Sequence, residues 1–241
     1  MSGSAKNPVP GQTLCEEPRD FFMTLRDIAF WIRSARTDAA LARLRSNGAS
    51  AAAFDQLYAA GSDPYASVAP QFRYQRRKYQ ALLSMLPKRP YRRALDVGCG
   101  LGGFTRLLAP HADHVLGIDL SAEAAAQARS LSQGQPNIEY VQADITTLAE
   151  GSRFDLVVLA DVLYYLLPLD DGVVGALASR IAGILEPGGL LLVVDHFFFA
   201  VDPPSRMTRR IHDIFRATPG LEPAAERRRA FYLATLLERV A

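Results

Sequence analysis

A chain of 241 residues, 49% apolar and 22% charged, is long enough to bury the core of one α/β domain with some additions. Its net charge of +2 is too small to imply a nucleic-acid partner, and no apolar stretch reaches the ~18–20 residues that span a bilayer. The two cysteines, Cys15 in a polar N-terminal stretch and Cys99 among glycines, offer no disulfide framework and fit a reducing, cytoplasmic setting.

Residues 1–20 carry Gly, Ser, Pro and charge without periodicity and read as a flexible tail. Glu16, Glu17 and Asp20 precede the first apolar cluster, the wrong order of charges for an export signal. Phe22, Leu25, Ala29 and Ile32 then recur at helical spacing, with Arg26, Arg33 and Arg36 off that stripe. This predicts an amphipathic helix to about Arg45, stopped near Asn47-Gly48 and packed on the core or on a second subunit. A short helix is expected over Ala51–Ala60, ended by the turn-forming string Gly61-Ser62-Asp63-Pro64-Tyr65, and another over Phe72–Leu86. Residues 21–90 thus read as a helical extension or lid ahead of a domain over 91–241.

That domain alternates. Strands are expected at Arg93–Val97, His114–Ile118, Ile138–Gln142, Phe154–Leu159 and Leu190–Asp195, and helices at Gly102–Ala109, Ala122–Leu131 and Gly172–Leu185. Asp144 to Glu150 leaves room for one helical turn. Alternation of this kind implies an α/β, doubly wound, mostly parallel sheet of the Rossmann-like type. Pro203 to Ala217 is expected to be helical, and a basic stretch with Arg227, Arg228 and Arg229 follows. Phe231–Arg239 reads as a last, antiparallel edge strand, because its connection is too short for a crossover.

The glycines after the first of these strands, Gly98, Gly100 and Gly102, let a backbone turn tightly and a ligand come close. The second strand ends in Asp119, spaced to accept hydrogen bonds from ribose hydroxyls. Gly98, Gly100 and Gly103 also satisfy the spacing of a dinucleotide fingerprint, so this pair of strand ends alone leaves the nucleoside open. Ligands in an open parallel sheet bind outside the carboxyl ends of the strands. The other strand ends there deliver Asp144, Asp161 and Asp195-His196, so every crossing brings an acid to one edge.

At this point the chain resembles the class I S-adenosylmethionine-dependent methyltransferases. The resemblance rests on Leu-Asp-Val-Gly-Cys-Gly-Leu-Gly at 95–102, Gly-Ile-Asp-Leu-Ser at 117–121, Ala-Asp-Ile at 143–145, Phe-Asp-Leu-Val-Val at 154–158 and Leu-Glu-Pro-Gly-Gly at 185–189. It implies a seven-stranded sheet with an antiparallel last strand, S-adenosylmethionine as methyl donor and no metal. By that resemblance Gly98, Cys99, Gly100 and Gly102 pass the methionine part of the cofactor, and Asp96 organises this loop or links to the cofactor ammonium. Asp119 binds the ribose, Asp144 the adenine amino group, Leu120 and Ile145 the ring faces, and Ala160 offers backbone. Within the class the chain is similar to nodulation-factor N-methyltransferases (NodS-like) in Ala-Asp-Val-Leu-Tyr-Tyr-Leu at 160–166 and in Asp-Pro-Tyr at 63–65 before an Arg-rich helix. This implies a small-molecule acceptor, an amine on an amino sugar or related metabolite. The long N-terminal helix and the segment from Phe197 to Ala230 depart from that subfamily.

Candidates for the acceptor side are Asp161, Tyr65, Tyr164 and His196, with His196 a base near neutral pH or a buried structural histidine. Asp195 and Tyr165 are further candidates; Tyr164 and Tyr165, adjacent, are not expected to face the cofactor together. Arg73 and Arg77, one turn apart, could direct a cation to the cofactor carboxylate or lie on a solvated face. Small-molecule O-methylation, and a non-catalytic cofactor-binding protein acting as regulator or partner, are the competing readings. No nucleic-acid or membrane partner is expected; a homodimer is compatible with the sequence, which leaves the oligomeric state open.

Overall fold

The computed structural model describes residues 13–14, 25–45, 50–61, 63–70, 73–147, 151–165, 170–198, 201–229 and 231–240. Runs of Leu, Val and Ile lay down a central sheet. Its strands are β1 (Thr13–Leu14), β2 (Tyr91–Val97), β3 (Ala112–Asp119), β4 (Ile138–Gln142), β5 (Phe154–Ala160), β6 (Leu185–Phe197), β7 (Leu221–Arg229) and β8 (Phe231–Arg239). Their spatial order is β1-β7-β8-β6-β5-β2-β3-β4. Strands β2 to β6 are parallel, and β8 runs antiparallel to both β6 and β7. The expected mostly parallel sheet with its antiparallel last strand is present, and β1 adds a two-residue parallel pairing on β7. Cys15 and the remainder of 1–20 lie outside the described residues.

Seven helices flank the sheet among the described residues: α1 (Leu25–Arg45), α2 (Ser50–Ala60), α3 (Arg73–Leu83), α4 (Gly103–Leu108), α5 (Ala122–Leu131), α6 (Asp171–Ile184) and α7 (Pro203–Arg216). Successive strand residues point to opposite faces. Leu95, Val157, Leu191 and Val193 therefore pack under α6 and α7, against Leu177, Ile181 and Phe215. Ala94, Leu156, Val158, Leu192 and Val194 pack on the other face, against Leu82, Phe104 and Leu108. Burial on both faces accounts for the lack of polar alternation in these strands.

Helix α1 is turned relative to its predicted stripe. Ala29 is exposed and Ile32 half exposed, while Phe22 lies outside the described residues. The buried side is Phe30, Ser34, Thr37 and Leu41. Thr37 Oγ1 donates to Pro64 O at 2.6 Å and Arg33 Nη2 to Asp63 O at 2.5 Å, so polar bonds to the turn after α2 set the rotation. That turn is itself held by Asp63, whose carboxylate accepts from the N–H groups of Ser67, Val68 and Ala69 at 2.8–3.0 Å.

From β2 the chain moves outward to β3 and β4, then returns to place β5 on the other side of β2. The connections leaving β2 and β5 diverge at this reversal. A crevice opens between them, and α1, α2 and α3 roof it.

Candidate active site

A cavity of about 320 Å³ lies at the carboxyl ends of the parallel strands. Four strand-end segments meet in its wall: Gly98, Cys99 and Gly100 after β2, Asp119 and Leu120 after β3, Asp144 and Ile145 after β4, and Ala160 closing β5. The N–H groups of Gly98 and Cys99 both donate to Ile118 O, at 2.8 and 3.0 Å, and lay the loop against β3. Gly100 N–H donates to Asp119 Oδ2 at 2.8 Å, and Ser121 N–H to Oδ1 at 2.9 Å. Each carboxylate oxygen has a second lone pair. Asp119 is thus oriented by backbone and keeps capacity for two further donors. Burial raises its pKa, and the same two backbone donors pull it back down.

Gly100 has φ +52°, and a Cβ there would stand 2.9 Å from the Tyr58 hydroxyl. The loop approaches the roof that closely only because it has no side chain. Asp144 Oδ1 accepts from both Thr146 N–H and Thr146 Oγ1 at 2.8 Å, which fixes the carboxylate at the cavity edge.

Asp96, Gly102 and Arg77 are absent from this wall. Asp96 is buried beneath the loop and accepts from Thr105 Oγ1 at 2.6 Å, the loop-organising position. Burial pushes its pKa up to about 7. Gly102, at φ 71°, precedes α4 and backs onto Tyr140, whose hydroxyl fills the space of a Cβ. Glycine here lets the loop pack against β4. Arg77 is exposed on α3, and its neighbour Lys78 turns inward instead, 2% exposed at the side chain.

The opposite wall carries the acceptor-side candidates. Asp161 has a left-handed backbone, φ 57°, uncommon for a residue with a side chain. This conformation directs its carboxylate across the cavity mouth. Oδ2 is paired to Lys78 Nζ, and Oδ1 lies 3.8 Å from His196 Nε2 without a hydrogen-bond partner among the described residues. Burial lowers the His196 pKa; Asp161 raises it and Lys78 lowers it further. The ring is therefore a neutral imidazole at pH 7. Tyr164 stacks on it, centroids 4.9 Å apart and planes at 24°, with its hydroxyl 3.5 Å from Nε2. Tyr65 arrives from the turn after α2, its ring 5.8 Å from that of Tyr165.

Tyr164 and Tyr165 both line the cavity, contrary to expectation. Residues 163–165 form a 3-10 turn in which Leu163 takes the buried position. Asp195 is absent from the cavity wall: it is fully buried, on the opposite face of β6 from His196, with its Oδ2 3.3 Å from His212 Nε2 on α7. Period-two alternation separates these neighbours.

Lys78 and the α1 side chains went unread in the sequence. Lys78 sits third in an Arg-Arg-Lys run, where composition cannot tell which cation faces inward. Trp31, the only tryptophan, packs edge-on to His196 at 5.6 Å. Asp38 of α1 accepts from Tyr165 OH at 2.7 Å. A second cavity, about 490 Å³, adjoins the first and shares Tyr164, Tyr165 and His196 with it.

A methyltransferase-domain family profile matches residues 95–193. Nodulation protein S of Rhizobium tropici is 35% identical over 117 residues, 48% of each chain. The malonyl-[acyl-carrier protein] O-methyltransferase of Enterobacter lignolyticus is 38% identical over 118 residues, 48% of this chain and 44% of that protein. The chain thus spans about half the length of these curated relatives. The crystal structure of the N-methyltransferase NodS from Bradyrhizobium japonicum WM9 in complex with S-adenosyl-L-homocysteine superposes with a TM-score of 0.64 at 21% identity, over 86% of this chain and 98% of that one. Strand order, glycine loop and strand-end acids agree with these matches: residues 95–193 carry a methyltransferase domain, and the chain has the fold of, and is similar to, S-adenosylmethionine-dependent methyltransferases of the NodS-like kind.

Proposed function

We propose that the chain transfers the methyl group of S-adenosylmethionine to the amine of a small-molecule acceptor. The cavity fits this donor: the side-chain-free approach at Gly100 and the backbone-oriented Asp119 leave room and acceptor capacity for a nucleoside. Asp119 holds the ribose hydroxyls in this reading, and Asp144 the adenine amino group between Leu120 and Ile145. Gly98, Cys99, Gly100 and Ala160 border the methionine part. Asp96 acts from beneath, by holding the loop. When bound, the donor presents a methyl group on a positively charged sulfur.

The observation that carries the amine is the Asp161–His196 pair. The carboxylate has one oxygen on Lys78 and the other, with no hydrogen-bond partner among the described residues, beside a neutral imidazole. An amine attacks only through its lone pair, so it must arrive without its extra proton. His196 is placed to take that proton, and Asp161 Oδ1 to accept a remaining N–H and aim the lone pair. Tyr164 holds the imidazole by stacking, and Tyr65, with the aromatic roof, keeps water from the reacting atoms. The likeness to the N-methyltransferase NodS agrees with an amine, while an O-methyltransferase is matched over a similar span, so the choice rests on the Asp161–His196 pair. Labelled-methyl transfer onto a panel of amines, amino sugars and phenols tests the reading. Turnover confined to amines, rising with pH as the free amine forms, is the expected result; turnover confined to phenols overturns it.

A further inference from the structure

The second cavity lies between α1 and α7. Leu41 and Ala42 of α1 and Pro204, Met207 and Ile211 of α7 line it, and Tyr164, Tyr165 and His196 form its common wall with the first cavity. A molecule with its nucleophile at His196 has this space within reach, because the same side chain borders both cavities. The two remaining polar side chains each hold one internal hydrogen bond. Thr208 Oγ1 donates to His196 O at 2.6 Å, and Asp38 Oδ1 accepts from Tyr165 OH at 2.7 Å. No Arg, Lys, Asn or Gln stands among the described lining residues. A sugar ring placed here would turn most of its hydroxyls toward Leu41, Ala42, Pro204, Met207 and Ile211, where they find no partner. An apolar body would lose nothing and bury its surface.

We propose that this cavity seats the body of the methyl acceptor, and that this body is apolar: an amine on an alkyl or aryl skeleton rather than on an oligosaccharide. The proposal rests on the amine-transfer reading for the position of the nucleophile. Three further features agree with it. The volume falls in the range that holds drug-sized organic molecules. With the shared histidine neutral, Asp38 is the only charged side chain among the described lining residues, and its sign suits a cationic amine in transit. Met207, 46% exposed, marks the open rim through which a longer tail would emerge.

Trp31 beside His196 supplies a direct readout, since the chain has one tryptophan. Its fluorescence is followed in the full chain, with S-adenosylhomocysteine present, during titration with n-octylamine, 4-phenylbutylamine, glucosamine and a chitosan trimer. Transfer of labelled methyl from S-adenosylmethionine is measured in parallel. The apolar amines should bind at least about tenfold more tightly than the sugars, with affinity rising per methylene. Met207→Lys, at the exposed rim, should weaken octylamine by about tenfold and leave S-adenosylhomocysteine affinity unchanged. Ala42→Gln, on the facing helix, should act in the same direction. Tighter binding of the amino sugars, or octylamine affinity indifferent to both substitutions, overturns the proposal. Apolar amines that bind in a Met207-dependent way without accepting methyl would remove the amine-transfer reading and leave only the cavity's preference for an apolar ligand standing.

Discussion

Lys78 on α3 and Asp161 at the end of β5, 83 positions apart, form an ion pair across the cavity mouth. The lysine is almost wholly buried, its Nζ also 5.3 Å over the Tyr232 ring, so the pair joins roof to sheet where solvent screens it little. Removing one partner leaves the other charge partly buried and uncompensated. Lys78→Met should lower unfolding free energy by about 2–4 kcal/mol, below the full buried-pair range because Asp161 keeps some exposure. Arg77→Ala, one position away on the exposed side, should change stability by no more than about 0.5 kcal/mol. Paired urea titrations check the contrast.

Asp119 orders the glycine loop as well as facing the ligand, so the choice of substitution decides what is learned. Asp119→Asn keeps an acceptor for one backbone amide but turns a donor toward the other. It should weaken S-adenosylhomocysteine by about 10–100-fold, as loss of charge-assisted hydrogen bonds implies. Calorimetric titration giving wild-type affinity would remove Asp119 from the ribose site.

His196→Gln should cut kcat by about 10²–10⁴-fold, the usual contribution of a positioned base, with little change in S-adenosylhomocysteine affinity. Burial holds the imidazole below its ordinary pKa. The acid limb of the wild-type kcat profile should therefore fall below the ordinary histidine value of about 6.5. A profile unchanged in His196→Gln would exclude the imidazole as the titrating group.

Two buried groups make opposite demands on pH. His212, inside the fold and bonded to Thr235 at 2.8 Å, has its pKa lowered to about 3, first by burial and then by Arg209 and Arg216. Below about 6.5 the unfolded chain binds a proton that the folded chain refuses. Its contribution is thus lost as pH falls from about 6.5 to about 3, at about 1.4 kcal/mol per unit. Asp96 is raised to about 7 by burial. Its contribution is complete below about 4 and lost as pH rises through about 7. The stability difference between wild type and His212→Gln should shrink on acidification, and that between wild type and Asp96→Asn on alkalinisation. Denaturant midpoints between pH 4 and 8 test both slopes.

The sheet and the donor side of the site were legible because their signals are local. Gly98 to Gly100 and Asp119 sit at the ends of apolar runs, and strand geometry carries them to one edge. Helix α1 was misread because its buried face uses the polar Ser34 and Thr37, and the partner of Thr37, Pro64 O, lies on another segment. Strand β7 was hidden by its composition: Glu226 and three arginines occupy positions that hydrophobic periodicity scores as loop. Glu226 is paired with Arg209 and Arg216 of α7, a tertiary compensation invisible in one segment. Lys78 could be told from Arg77 only by the rotation of α3 over the sheet.

Strand β7 closes one side of the sheet, and Thr13–Leu14 is laid along its outer edge with Thr13 opposite Glu226 and Leu14 opposite Arg227. An uncovered edge strand is a template on which another chain can add a strand. Among the described residues Thr13 and Leu14 cap part of that ladder, so a strand added there by another chain must first displace them. The same short pairing that extends the sheet also guards it against aggregation.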